Sequence, residues 1–217
     1  NSIVGSNCEL GITNNFIENN LLAIGENSHI RSNSVFYAGS EFGRSLNTGH
    51  SVLVRENVKA GNDFQIGTNV DIEGDAEFGD YVSLHSSVQI SKFSKIGNFV
   101  WIYPNVQFAN DPLPPSNVVL PIQIKDMAVI CTGSIILPGV SIGIGCFVGA
   151  GSLVNKSVPD VYCVKGNPAE IFSRVDQLVN IEHKLFYPWP KHFSKKYSKE
   201  SHPLMENIVK KIEDIIK

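Results

Sequence analysis

At 217 residues the chain is long enough for one sizeable core, or for an elongated repeat domain carrying a small appendage. Its 42% hydrophobic and 18% charged residues are ordinary for a soluble globular protein, and no apolar run reaches membrane-spanning length, so no membrane span is expected. A formal net charge of −3 argues against a nucleic-acid-binding surface as the main business, while leaving room for local basic patches that hold a small phosphorylated ligand.

The first residues have neither the basic start nor the apolar stretch of a signal peptide, and the four cysteines without paired spacing lead to the expectation of a cytoplasmic protein with reduced thiols. From Ile24 a period of six takes over. Stepping by six as far as Phe108 lands on an apolar residue every time except at Thr48. Four places after these positions stands a second small or apolar residue, from Val52 to Val106, with Ala76 and Ser94 among them. Six is no multiple of the helical 3.6, and the Gly, Asn and Asp between the apolar positions favour turns. Each hexad therefore predicts a short strand and a corner. Three hexads close one triangular coil with an apolar residue per face pointing inward, and coils stack at about 4.8 Å, which predicts roughly seven coils.

The frame breaks after Phe108. A proline-rich segment, predicted as a loop over 109–121, cannot supply a continuous ladder of backbone donors, and loops thrown out from a rigid scaffold tend to carry function. The frame resumes, shifted, at Ile124, Ile130, Ile136, Ile142, Val148 and Val154. Residues 1–168 are thus read as an all-β solenoid domain. Residues 169–217 are read as a C-terminal helical extension, in which Ile171, Val175, Leu178, Val179 and Ile181, then Leu204, Ile208, Ile212 and Ile215, suggest two amphipathic helices.

Several residues stand out against this pattern. Asp111 lies where the frame breaks, in Asn110-Asp111-Pro112, a setting that also suits a plain Asx-Pro turn. His85 precedes the Asn110-Asp111 hexad by one coil plus one face, which suggests a reach toward the same cleft. His50 follows Thr48, and the polar interruption hints at a bulge or a ligand contact, with an ordinary loop histidine as the plainer reading. Cys8, Cys131, Cys146 and Cys163 show no paired spacing, so reduced thiols are expected and no metal site is indicated. A zinc carbonic anhydrase would need three convergent histidines, and His29, His50 and His85 are unsuitably spaced for that. A non-catalytic scaffold is the other alternative.

The hexads, the proline loop and the closing run with Gly149-Ala150-Gly151-Ser152, Lys156 and Gly166-Asn167-Pro168-Ala169 resemble the bacterial hexapeptide-repeat acyltransferases, which are left-handed parallel β-helices. The stretches from Val54 to Ile90 and from Trp101 to Ser116 look like the branch that N-acetylates dTDP-linked 3-amino-3,6-dideoxyhexoses. The resemblance implies an acetyl-CoA-dependent N-acetyltransferase of a nucleotide-linked amino-deoxy sugar for surface glycan biosynthesis, with O-acetylation of a sugar hydroxyl as the alternative. It further implies a homotrimer in which acetyl-CoA lies in the groove between neighbouring β-helices, so that subunits share the sites.

In that light Asp111 occupies the position where related galactoside acetyltransferases carry a catalytic histidine, and Asn110 with Asp111 is associated with the sugar amine. Transfer from a thioester to an amine needs little beyond an unprotonated amine, in-line placement and donors for the oxyanion. A side chain that holds the amine and takes its proton would be a carboxylate or imidazole within hydrogen-bond reach. This makes Asp111 the first choice, with orientation of the amine and the CoA thiolate as final base as its alternative, and His85 the second. Gly133, Ala150 and Gly151 are implied as backbone contacts to the pantetheine arm, beside Pro168, and Lys156 or Lys165 as cations for the CoA phosphates. Lys92 stands where the branch commonly has an acidic residue, so it is assigned to the acceptor, with His50, and could meet a sugar-nucleotide phosphate.

Overall fold

The computed structural model describes residues 1–13, 21–178 and 196–217. Short strands, most of two residues, recur every six positions and stack into three sheets of ten, eight and seven strands, parallel except for the last strand of the first. The first sheet includes Gln65–Ile66, the second Asp71–Ile72 and the third Glu77–Phe78. One coil is 18 residues: Gln65 pairs with Asn47 below and Ser83 above. The second residue of each strand points into the prism, where Ile30, Phe36, Val54, Ile72, Ile90, Ile102, Ile130 and Val148 are almost fully buried. A period of six produces this because each face consumes one strand and one corner.

The corners explain the polar residues between the apolar columns. Asn27, Asn33, Asn57, Asp63, Asn69 and Asn105 all have positive φ, which Asn and Asp tolerate best after glycine. Buried serines satisfy themselves against the same corners: Ser28, Ser34, Ser94, Ser134 and Ser152 each donate to the carbonyl three residues earlier.

Two departures change the length of a coil. Pairing of Ile3 with His29 and of Glu9 with Val35 shows that the repeat begins before Ile24, giving eight strands on the second sheet and one coil more than the hexad count implied. The second departure falls between Gln107–Phe108 and Gln123–Ile124, where ten extra residues leave the corner between the second and third sheets. This is the loop expected over 109–121.

The C-terminal region departs from expectation in its first half. Glu170–Arg174 is a strand that runs antiparallel to Tyr162–Lys165, followed by a single turn of 3-10 helix at Val175–Gln177; backbone pairing with the last parallel strand of the first sheet wins over helical periodicity. Val179 and Ile181, the rest of that expected helix, lie outside the described residues. The second helix, α1 (His202–Ile216), is present. It packs Met205, Ile208 and Ile212 along the corner between the third and first sheets, against Tyr81, Phe99, Met127, Ile144 and Val161. Tyr81, Phe99, Met127 and Val161 all hold positive φ there, which costs roughly 1–2 kcal/mol each, offset by burying large side chains on the outside of the solenoid.

Candidate active site

The candidate residues sort onto two different edges of the prism. The edge between the first and second sheets carries a column one coil apart: Arg31, Gly49, Gly67, His85, Tyr103, Cys131 and Gly149, each just beyond a first-sheet strand. His50, Gly133, Ala150 and Gly151 lie on this edge, and Lys165 and Pro168 close it at the C-terminal end. The edge between the second and third sheets carries Lys92, Asn110, Asp111 and Lys156. His85 and Asp111 therefore do not meet within one chain. The offset of one coil plus one face sets them on neighbouring corners with the second sheet between.

His85 stacks flat on Tyr103, with ring centroids 4.6 Å apart and planes 10° from parallel. Its Nε2 is out of solvent with no hydrogen-bond partner. Burial, aided by the Lys196 ammonium, pushes the imidazole below its ordinary range, so His85 is uncharged at neutral pH and able to accept a proton. A groove of about 360 Å³ runs along this edge, lined by Arg31, Asn47, His50, Gln65, Thr68 and His85 among others. His50 is held by Ser32, whose Oγ is 2.8 Å from Nδ1.

There is no bulge at Thr48: Asn47 and Thr48 pair evenly with Gln65 and Ile66. The polar residue is accommodated by hydrogen bonds. Thr48 Oγ1 accepts from the Arg31 backbone N–H at 2.9 Å and donates to Gly49 O at 2.8 Å, and the Arg31 guanidinium takes the Thr48 carbonyl. Further along the same edge, a Cβ placed on Gly133 or Gly151 would find no atom within 4 Å. That leaves the edge open to a ligand lying along the backbone. Lys165 Nζ sits 4.6 Å over the Phe172 ring and is exposed, whereas Lys156 reaches toward Glu170 at 3.8 Å.

The second edge is a charge network. Lys92 Nζ is 2.9 Å from Asp75 and 3.8 Å from the buried Glu56, so its charge is already engaged. Glu73 accepts from Gln89 Nε2, from the Lys92 backbone and from Asn110 Nδ2 at 2.9, 3.2 and 3.3 Å, which fixes the start of the loop. Asp111 organises the next turn of that loop: Oδ1 accepts from Leu113 N and Ser116 Oγ, and Oδ2 from Ser116 N, at 3.0, 2.6 and 2.8 Å. The Ser116 hydroxyl foremost, with the two backbone donors, holds this carboxyl below the usual carboxylate range. Such a group is a weak base and a good anchor.

Sequence reasoning missed Arg31, Glu73, Tyr103 and Lys196. Arg31 and Tyr103 were within reach, since both stand at whole-coil intervals from His85. Lys196 was not, because its approach depends on how the tail folds back.

The burial pushes the Cys131 thiol up to about 11 and Cys146 and Cys163 up to about 12, so none of these thiols is a nucleophile at neutral pH. All four cysteines are free. Among the described residues no helix is long and apolar enough to cross a membrane.

Comparison with known proteins adds a fold and a local relationship. No protein-family model matches the chain. It is 44% identical over 64 residues to the 2,3,4,5-tetrahydropyridine-2,6-dicarboxylate N-acetyltransferase of Clostridium perfringens (strain 13 / Type A), covering 30% of this chain and 26% of that protein. The chain spans a third or less of the length of the curated relatives it matches. Among solved structures, PerB from Caulobacter crescentus, in complex with CoA and GDP-perosamine, superposes with a TM-score of 0.50 at 20% identity over 64% of this chain and 57% of that one. WeeI from Acinetobacter baumannii AYE aligns at 23% identity over 66% of this chain and 58% of that one, with a TM-score of 0.47.

Proposed function

We propose that this chain, a hexapeptide-repeat left-handed β-helix of the acetyltransferase superfamily, transfers an acetyl group from acetyl-CoA to the amino group of a nucleotide-linked amino-deoxy sugar. The observation that carries the reading is His85: an imidazole kept uncharged by burial, stacked on Tyr103 and bordering a groove of amide and hydroxyl side chains. Local likeness to an N-acetyltransferase and the fold shared with PerB support it.

The residues present fit the two ligands. The open edge at Gly133 and Gly151 admits an extended pantetheine, Ala150 and Pro168 lie exposed beside it, and Lys165 supplies a cation at its end. Acetyl-CoA brings the activated acyl group and a good leaving thiolate. His85 receives the proton as the amine nitrogen bonds to the acyl carbon and the carbon–sulfur bond breaks. Tyr103 keeps the imidazole plane fixed, and much of the remaining barrier is lowered by placement of the amine. Asn110 and Asp111 shape the loop of the neighbouring edge and hold the acceptor in place.

Because His85 and Asp111 stand on different corners, a site using both needs two copies of the chain side by side. A homotrimer is the assembly proposed here, and sedimentation of the purified protein at three times the chain mass is the expected result. The outer column of the third sheet, with Glu41, Lys59, Glu77 and Lys95, suits water. The second sheet presents Leu53, Gln89, Gln107, Ile135 and Leu153 and suits a partner better.

One observation favours a second reading. An alcohol needs general-base help more than a neutral amine does, and His85 is placed to give it, so a sugar hydroxyl is the competing acceptor. Purified protein, acetyl-CoA and matched nucleotide sugars bearing an amine or a hydroxyl at one carbon decide between them by thiol release. Turnover confined to the amines is the expected result; turnover of neither removes the acetyltransferase reading.

A further inference from the structure

Arg31 and His85 stand on one column, three coils apart, or roughly 14 Å at the strand spacing of stacked coils. Between them the column holds Gly49 and Gly67, whose Cβ positions are taken up by Thr68 and by the backbone of His85. The groove beside them forms a notch two coils tall with a guanidinium at one end and an imidazole at the other. Arg31 is built into its place. Its Nη1 donates to Asn47 Oδ1 at 3.0 Å and to the Thr48 carbonyl, and its backbone N–H leaves the sheet ladder for Thr48 Oγ1. The backbone pairing here runs through His29 and Asn47 alone.

These contacts occupy one guanidinium nitrogen, and among the described residues Arg31 makes no ion pair. The groove lining includes no carboxylate; its charge is that of Arg31, and its neutral groups are Asn47, Gln65, Thr68, Ser83 and Ser86, with the imidazoles of His50 and His85. Lys196, carried in from the tail and seated 4.0 Å over the Trp101 ring, adds a second cation near His85. Hydroxyl and amide donors between a guanidinium and a proton acceptor match a polyhydroxylated ring with an anionic group on one side and a nucleophile on the other.

We propose that this notch is the acceptor site, in which Arg31 binds the phosphate on the anomeric carbon of the sugar and Asn47 and Gln65 engage the ring, so that its nucleophile faces His85. The assignment rests on the acetyltransferase reading and locates within it the residues that hold the anomeric phosphate and the ring. From the guanidinium, which climbs one coil to Thr48, about two coil steps, roughly 10 Å, remain to His85. That is the reach of a hexose with its anomeric phosphate.

The test, on the full chain, compares glucosamine 1-phosphate with glucosamine by calorimetry for the wild type, Arg31→Gln and Arg31→Lys. Because the C2 amine of glucosamine lies beside the phosphate, thiol release from acetyl-CoA compares 4-amino-4-deoxyglucose 1-phosphate with its unphosphorylated sugar on the same three proteins. The phosphorylated sugar is expected to bind more tightly, to lose about tenfold or more in Arg31→Gln and to recover in part in Arg31→Lys. Binding of CoA and of unphosphorylated glucosamine stays unchanged. Should Arg31→Gln fail to fold, competition by inorganic pyrophosphate against glucosamine 1-phosphate on the wild type gives the same answer, with displacement expected. Equal binding of the two sugars, an equal loss for both in Arg31→Gln, or no displacement by pyrophosphate overturns the assignment. Arg31-dependent binding without acetyl transfer leaves the phosphate site standing and removes the acetyltransferase reading. Transfer to amino sugars that ignores both Arg31 and the phosphate does the reverse.

Discussion

His85 and Asp111 look interchangeable in sequence, each a titratable side chain beside a hexad, yet the structure gives them opposite characters. Burial and Lys196 disfavour the charged imidazole, so protonation of His85 on acidification sets in below the ordinary histidine range. The acid limb of kcat/KM is expected there, and Lys196→Met is expected to move it upward toward the ordinary value, whereas Lys196→Arg is not; a limb that stays in place removes Lys196 from this role. For Asp111, three hydrogen bonds to Leu113 and Ser116 favour the charged form and fix the loop. Asp111→Asn turns an amide NH₂ against one of these donors, so turnover is expected to fall about tenfold or more while acetyl-CoA affinity holds. If the loss comes through loop shape, Ser116→Ala shares it in steady-state kinetics; if Asp111 acts directly on the acceptor, Ser116→Ala keeps most of the turnover.

At the scale of strands and corners the sequence was highly legible, for a physical reason. A coil whose inner faces hold one side chain each leaves no room for a polar group without a partner, so the inward column is visible as an unbroken apolar register. Thr48 broke that register and was read as a hint of a bulge, but the neighbouring Arg31 supplied its hydrogen bonds instead. The first coil, though inside the residues read as solenoid, shows no hexad register because its pairing spans 26 residues, Ile3 to His29, and a fixed step of six loses the frame there. The strand at Glu170–Arg174 was missed because four or five residues at a solenoid's end carry too short a pattern to tell strand from helix. Two stability predictions belong here. Ile66→Ala should cost about 2–5 kcal/mol in denaturant unfolding, since its side chain is 3% exposed in the prism. Gly67→Ala should destabilise as well, because a Cβ there would lie 2.4 Å from the His85 carbonyl carbon and the adjacent Ser86 nitrogen, both backbone atoms unable to step aside.

Across the whole molecule, the tail ties the far end of the chain to the middle of the solenoid. Trp101 Nε1 donates to Tyr197 Oη at 2.8 Å, and that hydroxyl donates to the Tyr81 carbonyl at 3.1 Å. Burial pushes the Tyr197 phenol far above its ordinary range. Trp101→Phe should therefore lower the thermal midpoint by an amount equivalent to about 1 kcal/mol and leave CoA binding intact; a larger effect on binding than on stability would give Trp101 a ligand role. The arrangement of function across the molecule was only half legible. That His85 and Asp111 occupy different edges follows from arithmetic on the repeat, since one coil plus one face ends on the next corner, but the contacts Asp111 makes in the ten-residue insertion do not.

A parallel stack has no intrinsic last member, because every coil exposes the same template for another. The reversal of direction at Glu170–Arg174 removes that template on the first sheet: an incoming coil from a second molecule would meet a rung of the wrong polarity. The hairpin thus covers the last parallel rung of the first sheet, and a variant unable to form it is the one in which end-to-end fibres should be sought.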